Sequence, residues 1–130
     1  MSTTVPERRL ALEARIPWGE FNCGKFLPDT GWDEILMDFF DQIDYIGATD
    51  KISVVQIKEK FGTLRLYVDP KTDEDVLRDI VYALAANAER RSEFTCERCG
   101  DLGRQRGDYW VLTLCNACDE LREAARGADL

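Results

Sequence analysis

Cys96-Glu97-Arg98-Cys99, answered fifteen residues later by Cys115-Asn116-Ala117-Cys118, decides how the C-terminal part of this chain folds. Two Cys-x-x-Cys pairs so spaced match the four-cysteine zinc pattern, in which about 15 to 20 residues separate the pairs. Each pair puts two sulfurs on one side of a tight turn, and two such turns complete a tetrahedron about 2.3 Å from the ion. Cys96, Cys99, Cys115 and Cys118 are therefore expected to hold one structural Zn2+ per chain. Four thiolates leave no coordination position for water, so the ion is not expected to act as a Lewis acid. A redox dithiol or an iron–sulfur cluster is the weaker reading, because a redox motif sits at a strand-to-helix turn of a βαβ unit and does not come as two pairs.

Around the cysteines, Leu102 to Asp108 reads as a loop, Tyr109 to Leu114 as a strand delivering Cys115, and Asp119 to Arg126 as a helix. A knuckle, a hairpin and a second pair opening a helix is the order of a treble-clef finger; a zinc ribbon, with strands on both sides, is the alternative. Upstream, Thr4-Val5-Pro6-Glu7 forms a capping box, with proline in the first turn where its missing N–H costs nothing. The helix it opens runs to about Arg15, packs through Leu10, Ala11 or Leu12 and Ile16, and stops before Pro17. The segment from Trp18 to Pro28 reads as a loop anchored by its three aromatic rings, and Cys23 within it as a plain thiol.

From Trp32 onward Ile35, Leu36, Phe39, Phe40, Ile43 and Ile46 recur at three- and four-residue steps, which predicts a strongly amphipathic helix. Its polar face carries Asp33, Glu34, Asp38, Asp41 and Asp44 with no basic partner on the same helix. That face reads either as solvated or as an acidic docking surface for a basic partner. Ile52 to Val68 has two β-rich arms about a polar centre, a hairpin turning near Glu59 to Gly62 with Gly62 at positive φ. Leu64, Leu66 and Val68 are expected to face the core with Val55 and Ile57, while Gln56, Lys58, Arg65 and Tyr67 gather on the other face with Lys60 near the turn, either as an ordinary solvated sheet face or as a binding surface formed by Lys58, Lys60, Arg65 and Tyr67. Thr72 to Asp75 then caps a helix reaching about Arg91, its buried stripe being Val76, Ile80, Val81, Leu84, Ala85 and Ala88.

The run Val55-Gln56-Ile57-Lys58-Glu59-Lys60-Phe61-Gly62-Thr63-Leu64-Arg65-Leu66-Tyr67, preceded by Gly31-Trp32 and followed by the Cys-Glu-Arg-Cys-Gly knuckle, resembles a family of small uncharacterised proteins of bacteria, phages and prophages. The likeness spans roughly residues 31 to 118. It implies a bacterial or phage cytosolic setting and a zinc-type C-terminus, and it brings no catalytic residues with it.

The expected architecture is α+β: a main domain over residues 1–93, with helices packed on a β-hairpin or small antiparallel sheet, and a zinc-binding lobe over 94–130 packed with it as one unit. No stretch of the 130 residues reaches the roughly 18 apolar positions of a membrane span, and the first residues lack the apolar core of a signal peptide, so the default address is cytoplasmic. An exposed hairpin edge offers one route to a dimer, though nothing requires it.

Composition excludes more than it assigns. There is no histidine, which removes Ser-His and Cys-His nucleophile systems and histidine metal ligands together. No acid pair stands out by spacing, so the chain is read as a non-enzyme. The net charge of −8 argues against a global attraction to nucleic-acid phosphate. A nucleic-acid reader is the alternative: Arg98, Arg104 and Arg106 would meet phosphate and Tyr109 or Trp110 would stack on a base. Glu97, Asp101 and Asp108 cancel those arginines, and the two rings serve equally well as the lobe's own core. A protein partner is therefore the preferred expectation, with the chain modulating or inhibiting a host or defence factor.

Overall fold

A computed structural model describes residues 4–128. The chain is α+β, with four α-helices, a two-stranded antiparallel sheet and a second short hairpin. Helix α1 spans Val5–Arg15, α2 Asp33–Tyr45, α3 Asp75–Ser92 and α4 Asn116–Ala128. Strands β1 (Ile52–Lys60) and β2 (Thr63–Pro70) form the sheet, and β3 (Arg104–Arg106) pairs with β4 (Leu112–Leu114). Among the described residues no helix is long and apolar enough to cross a membrane.

Local chemistry starts the helices where it should. The Thr4 hydroxyl accepts from the Glu7 amide at 3.2 Å while the Glu7 carboxylate accepts from the Thr4 amide at 3.1 Å, so two donors that a helix start leaves open are satisfied reciprocally. The stripe of α2 buries Trp32, Ile35, Leu36, Phe39, Phe40 and Ile43. Phe39 and Phe40 meet edge to face at 5.1 Å, the arrangement their ring quadrupoles favour. Against α2 pack Leu12 and Ile16 of α1, Val81, Ala85 and Ala88 of α3, and Val54, Ile57, Leu64 and Leu66 of the sheet.

Three expectations about this core change. In α1 only Leu12 and Ile16 are buried; Leu10 stays exposed. On α3, Val76 and Ile80 face solvent, and Leu77 joins the packed side instead. In β1 the register shifts between Val54 and Gln56, so Val54 occupies the core position expected of Val55. A bulge inserts one residue into the alternation, and a period-two count that runs through it exchanges the two faces.

The bulge also settles what holds the segment after α1. Phe21 and Phe26 are exposed, so only Trp18 packs against the core and the rings do not anchor this loop. Backbone bonds do. The Val54 amide donates to Pro17 at 2.9 Å, the Gly19 amide to Val54 at 3.0 Å, and the Cys23 amide to Val55 at 2.9 Å. Cys23 itself is exposed and free. The far edge of β2 is closed differently: the Leu64 amide donates to the Ser92 hydroxyl at 2.9 Å and the Leu66 amide to the Glu89 carboxylate at 2.8 Å, both on α3. Both edges of the hairpin are therefore covered in part, β1 at Val54 and Val55 and β2 at Leu64 and Leu66.

The hairpin turn has two residues, Phe61 and Gly62, both left-handed with φ of 54° and 78°. A turn of this kind matches the right-handed twist of the flanking strands, and it needs positive φ at both central positions. Phe61 is an unusual occupant. The turn is held from outside, since the Gly62 carbonyl accepts a 2.5 Å hydrogen bond from the buried Thr113 hydroxyl of β4.

The cysteine-bearing segment seats on the rest of the chain backbone to backbone. The Gly31 amide donates to the Glu97 carbonyl at 2.9 Å, and a Cβ placed on Gly31 would fall inside van der Waals contact of the Cys96 and Glu97 backbones. Beside it the fully buried Trp32 donates its indole N–H to the Thr95 carbonyl at 2.9 Å. Gly31→Ala should therefore cost at least the ~1–3 kcal/mol of an overpacked core. Gly47, with φ of 72° and nothing within 4 Å of an added Cβ, supplies the control, since Gly47→Ala carries only the left-handed backbone penalty of about 1–2 kcal/mol and no clash. Denaturant melts of the two variants should rank them in that order; equal losses would show that the seat at Gly31 is not tight.

Candidate metal centre

Four sulfurs converge where the knuckle faces the start of α4. The Sγ atoms of Cys96, Cys99, Cys115 and Cys118 all lie within 4.8 Å of one another, and Cys99 and Cys115 approach to 3.5 Å. A tetrahedron of sulfurs about 2.3 Å from zinc has edges of roughly 3.8 Å, so the donor set fits the ion in number, kind and spacing. Cys96 is buried, Cys115 and Cys118 half-buried, and Cys99 exposed.

The backbone prepares the site. Gly100, at φ 86°, turns the chain so that its amide donates to the Cys96 carbonyl at 2.9 Å, while the Cys96 amide donates to Asp101 at 2.7 Å. Cys115 sits just before α4, whose first turn presents the Cys118 amide to the Cys115 sulfur at 3.4 Å. A helix start favours negative charge, which suits a thiolate ligand. Burial opposes ionisation of Cys96, but backbone amides of Cys115, Cys99 and Arg98 outweigh it and bring that thiol down to about 7. Burial and the neighbouring sulfurs push Cys118 up; Cys99 is aided by the Asp101 amide, yet desolvation and the other thiols drive it up to about 11. The Cys96 thiolate forms readily while Cys99 and Cys118 resist ionisation, which is the electrostatic demand a divalent cation meets.

Arg106 is the residue that fastens the second pair. Its guanidinium reaches the Leu114 carbonyl at 3.2 Å, Asp119 at 3.2 Å and the Asn116 side-chain oxygen at 2.7 Å, tying the hairpin to the first turn of α4. The expectation that Arg106 meets phosphate is thereby corrected: a side chain with 11% exposure and three partners is structural. Leu102 to Asp108, expected as plain loop, contains β3, and this strand is what puts Arg106 there. The expectation that Tyr109 and Trp110 form the lobe's core is corrected too, since their relative exposures are 101% and 75%. Arg104 is exposed, and no ion pair joins it to another described residue.

Glu97 does not lie free to cancel a surface arginine. It is buried against β4, where its carboxylate accepts from the Thr113 amide at 3.2 Å and its own amide donates to the Thr113 carbonyl at 3.0 Å. Burial, eased by that amide and reinforced by Glu59, raises its pKa to about 7.

The acidic face of α2 is likewise not the free surface that the sequence reading allows. Asp33 is buried and held by Arg9 at 2.5 and 3.0 Å; Arg15 takes Asp41 at 2.6 Å and Asp44 at 2.7 Å; Arg91 takes Asp38 at 2.9 Å. The basic partners come from α1 and α3, so a scan of α2 alone misses them. Only Glu34 of the five is without an ion pair among the described residues. The hairpin cluster does assemble: Gln56 faces Tyr67 and Lys58 faces Arg65 across the strands, with the Lys58 ammonium 5.8 Å from the Tyr67 ring. Lys60 stands beyond them, 5.6 Å from the Phe61 ring.

Two outcomes follow for the centre. Arg106→Ala should lower zinc affinity by about 10- to 100-fold, the usual effect of losing an outer-shell partner, measured by competition with a chromogenic chelator. For Glu97, a folded pKa above the ordinary carboxylate value means that its contribution is intact below about 4.5 and lost as pH rises through about 7. Glu97→Gln should therefore melt above the wild type at pH 8, with the gap closing toward pH 5; a gap independent of pH would contradict the assignment.

Comparison with protein-family models, with curated proteins and with solved structures gives no match for this chain.

Proposed function

We propose that this chain is a zinc-stabilised binding protein without catalytic activity, acting through contact with another protein as a modulator or inhibitor of a host or defence factor in a bacterial or phage setting. The observation that carries this reading is where the large apolar side chains lie. Phe94, Leu102, Tyr109, Trp110 and Leu121 are all between 59% and 101% exposed, within or beside the zinc lobe. Scattered exposed apolar residues are ordinary, whereas Phe94 and Leu102 line one depression of the lobe and Tyr109 and Trp110 another, a grouping that favours a surface another molecule covers.

The metal belongs to the scaffold in this reading. With four thiolate ligands zinc would close the knuckle on the start of α4 and supply structure only. The order of knuckle, β3–β4 hairpin and α4 opened by the second pair supports a treble clef over a ribbon. The setting rests on the resemblance of the hairpin run and knuckle.

A nucleic-acid reader is kept as the second reading because Tyr109 and Trp110 project beside Arg122 and Arg126 around one depression. Against it stand the pairing of Arg122 with Asp119 and the excess of acids in the chain. Affinity capture from bacterial lysate after nuclease treatment separates the two. The expected result is a protein retained at fixed stoichiometry and lost with a Tyr109→Ala/Trp110→Ala double variant. Recovery of nucleic acid alone, with a salt-sensitive gel shift weakened by Arg104→Ala, would reverse the order of the readings.

A further inference from the structure

A cleft of about 570 Å³ lies where the zinc knuckle, the first turns of α1 and the start of α2 meet. Its size is within the range of pockets that hold small molecules or a few peptide residues. The apolar part of its wall is Val5, Ala11 and Met37, the last with the unbranched thioether that adapts to irregular partners. Cys99 and Gly100 of the knuckle close the opposite side.

The charges in the wall are not equivalent. Asp33 turns to Arg9, and the Glu7 carboxylate is used by the Thr4 amide. Glu34, on α2, and Asp101, just after the knuckle, both line the cleft, and among the described residues neither carboxylate has a hydrogen-bond or ion-pair partner. Arg8, also without an ion pair among the described residues, is the one cation in a lining that holds four carboxylates, so the cleft is negative on balance. An apolar trough between two unengaged carboxylates complements a side chain with an aliphatic stem and a cationic end.

We infer that this cleft binds an arginine or lysine side chain carried on an exposed peptide segment of a partner protein, with the stem along Met37 and Ala11 and the cationic group between Glu34 and Asp101. The inference rests on the chain being a protein-binding protein, and it adds a site away from the exposed rings of the zinc lobe. Because Cys99 and Gly100 form one wall, the cleft exists only while the knuckle is folded, so binding is coupled to the metal.

The test is a 1H–15N titration of the zinc-loaded full chain with the capped peptide Ala-Ala-Arg-Ala-Ala, its lysine and glutamate counterparts, and spermidine. The arginine or lysine peptide should shift the amides of Glu34, Gly100 and Asp101 saturably, and the glutamate peptide should not. The Glu34→Gln/Asp101→Asn double variant should weaken binding by about tenfold or more, as expected for the loss of charge-assisted hydrogen bonds, while Asp79→Asn on the exposed side of α3 leaves it unchanged. Four results would overturn the site: no shift at millimolar peptide, shifts spread over all the acidic surfaces, equal weakening by Asp79→Asn, or spermidine saturating the cleft as well as the peptides do. A protein partner still captured by the double variant but lost with Trp110→Ala would remove the cleft and leave the protein-binding reading standing.

Discussion

Where two stretches of backbone touch, neither can carry a side chain between them, and the structure turns on two such places. At Gly31 the start of α2 meets the knuckle, with the Gly31 amide on the Glu97 carbonyl. At Gly62 the hairpin turn meets β4, and an added Cβ would stand 3.2 Å from Thr113. Trp32 and Thr113 complete the joint, one giving its indole N–H to Thr95 and the other its hydroxyl to Gly62. The cysteine cluster is thus more than an independent staple. It shapes the surface on which the main core rests, and the core in turn fixes the knuckle.

This joint gives a physical content to the resemblance drawn from the sequence. Its three quoted segments, Gly31-Trp32, the hairpin run and the knuckle, lie far apart along the chain and come together at one place. Glu97 shows how close the packing is: a carboxylate sits there because the Thr113 amide answers it, and burial raises its pKa even so. A chain that needs glycine at the contact, an indole donor beside it and a β-turn behind it will show those residues whatever it binds. The pattern therefore reports architecture before it reports activity.

Charge is organised on the same logic. A net charge of −8 concentrated on α2 suggests a negative face, yet three arginines from neighbouring helices reach across to it. The exposed pairs, those of Arg15 and Arg91, contribute little to stability, about 0–1 kcal/mol each, whereas Arg9–Asp33 is buried; together they decide which α2 acids remain available. Of the five α2 acids Glu34 alone has no ion pair among the described residues, and it lines the same cleft as Asp101. Under the proposed protein-binding reading, the exposed apolar and aromatic side chains of the zinc lobe therefore offer more contact surface than the largely paired acids of α2.

Much of this was legible before any fold was known, and the reason is locality. The capping box at Thr4, the apolar stripe of α2, the hairpin turn near Glu59 to Gly62 and the paired cysteines each depend on residues within a few positions of one another. The α+β class and the convergence of four sulfurs could be read from those patterns. The bulge at Val55, the arginines that meet the α2 acids, the clamp made by Arg106 and the exposure of Tyr109 and Trp110 could not. Each depends on which distant segment arrives at a given surface, and neither periodicity nor spacing carries that information. Only tertiary packing could decide that Gly31 lies beneath the knuckle, because the contact exists between two backbones and has no side-chain signature except the absence of one.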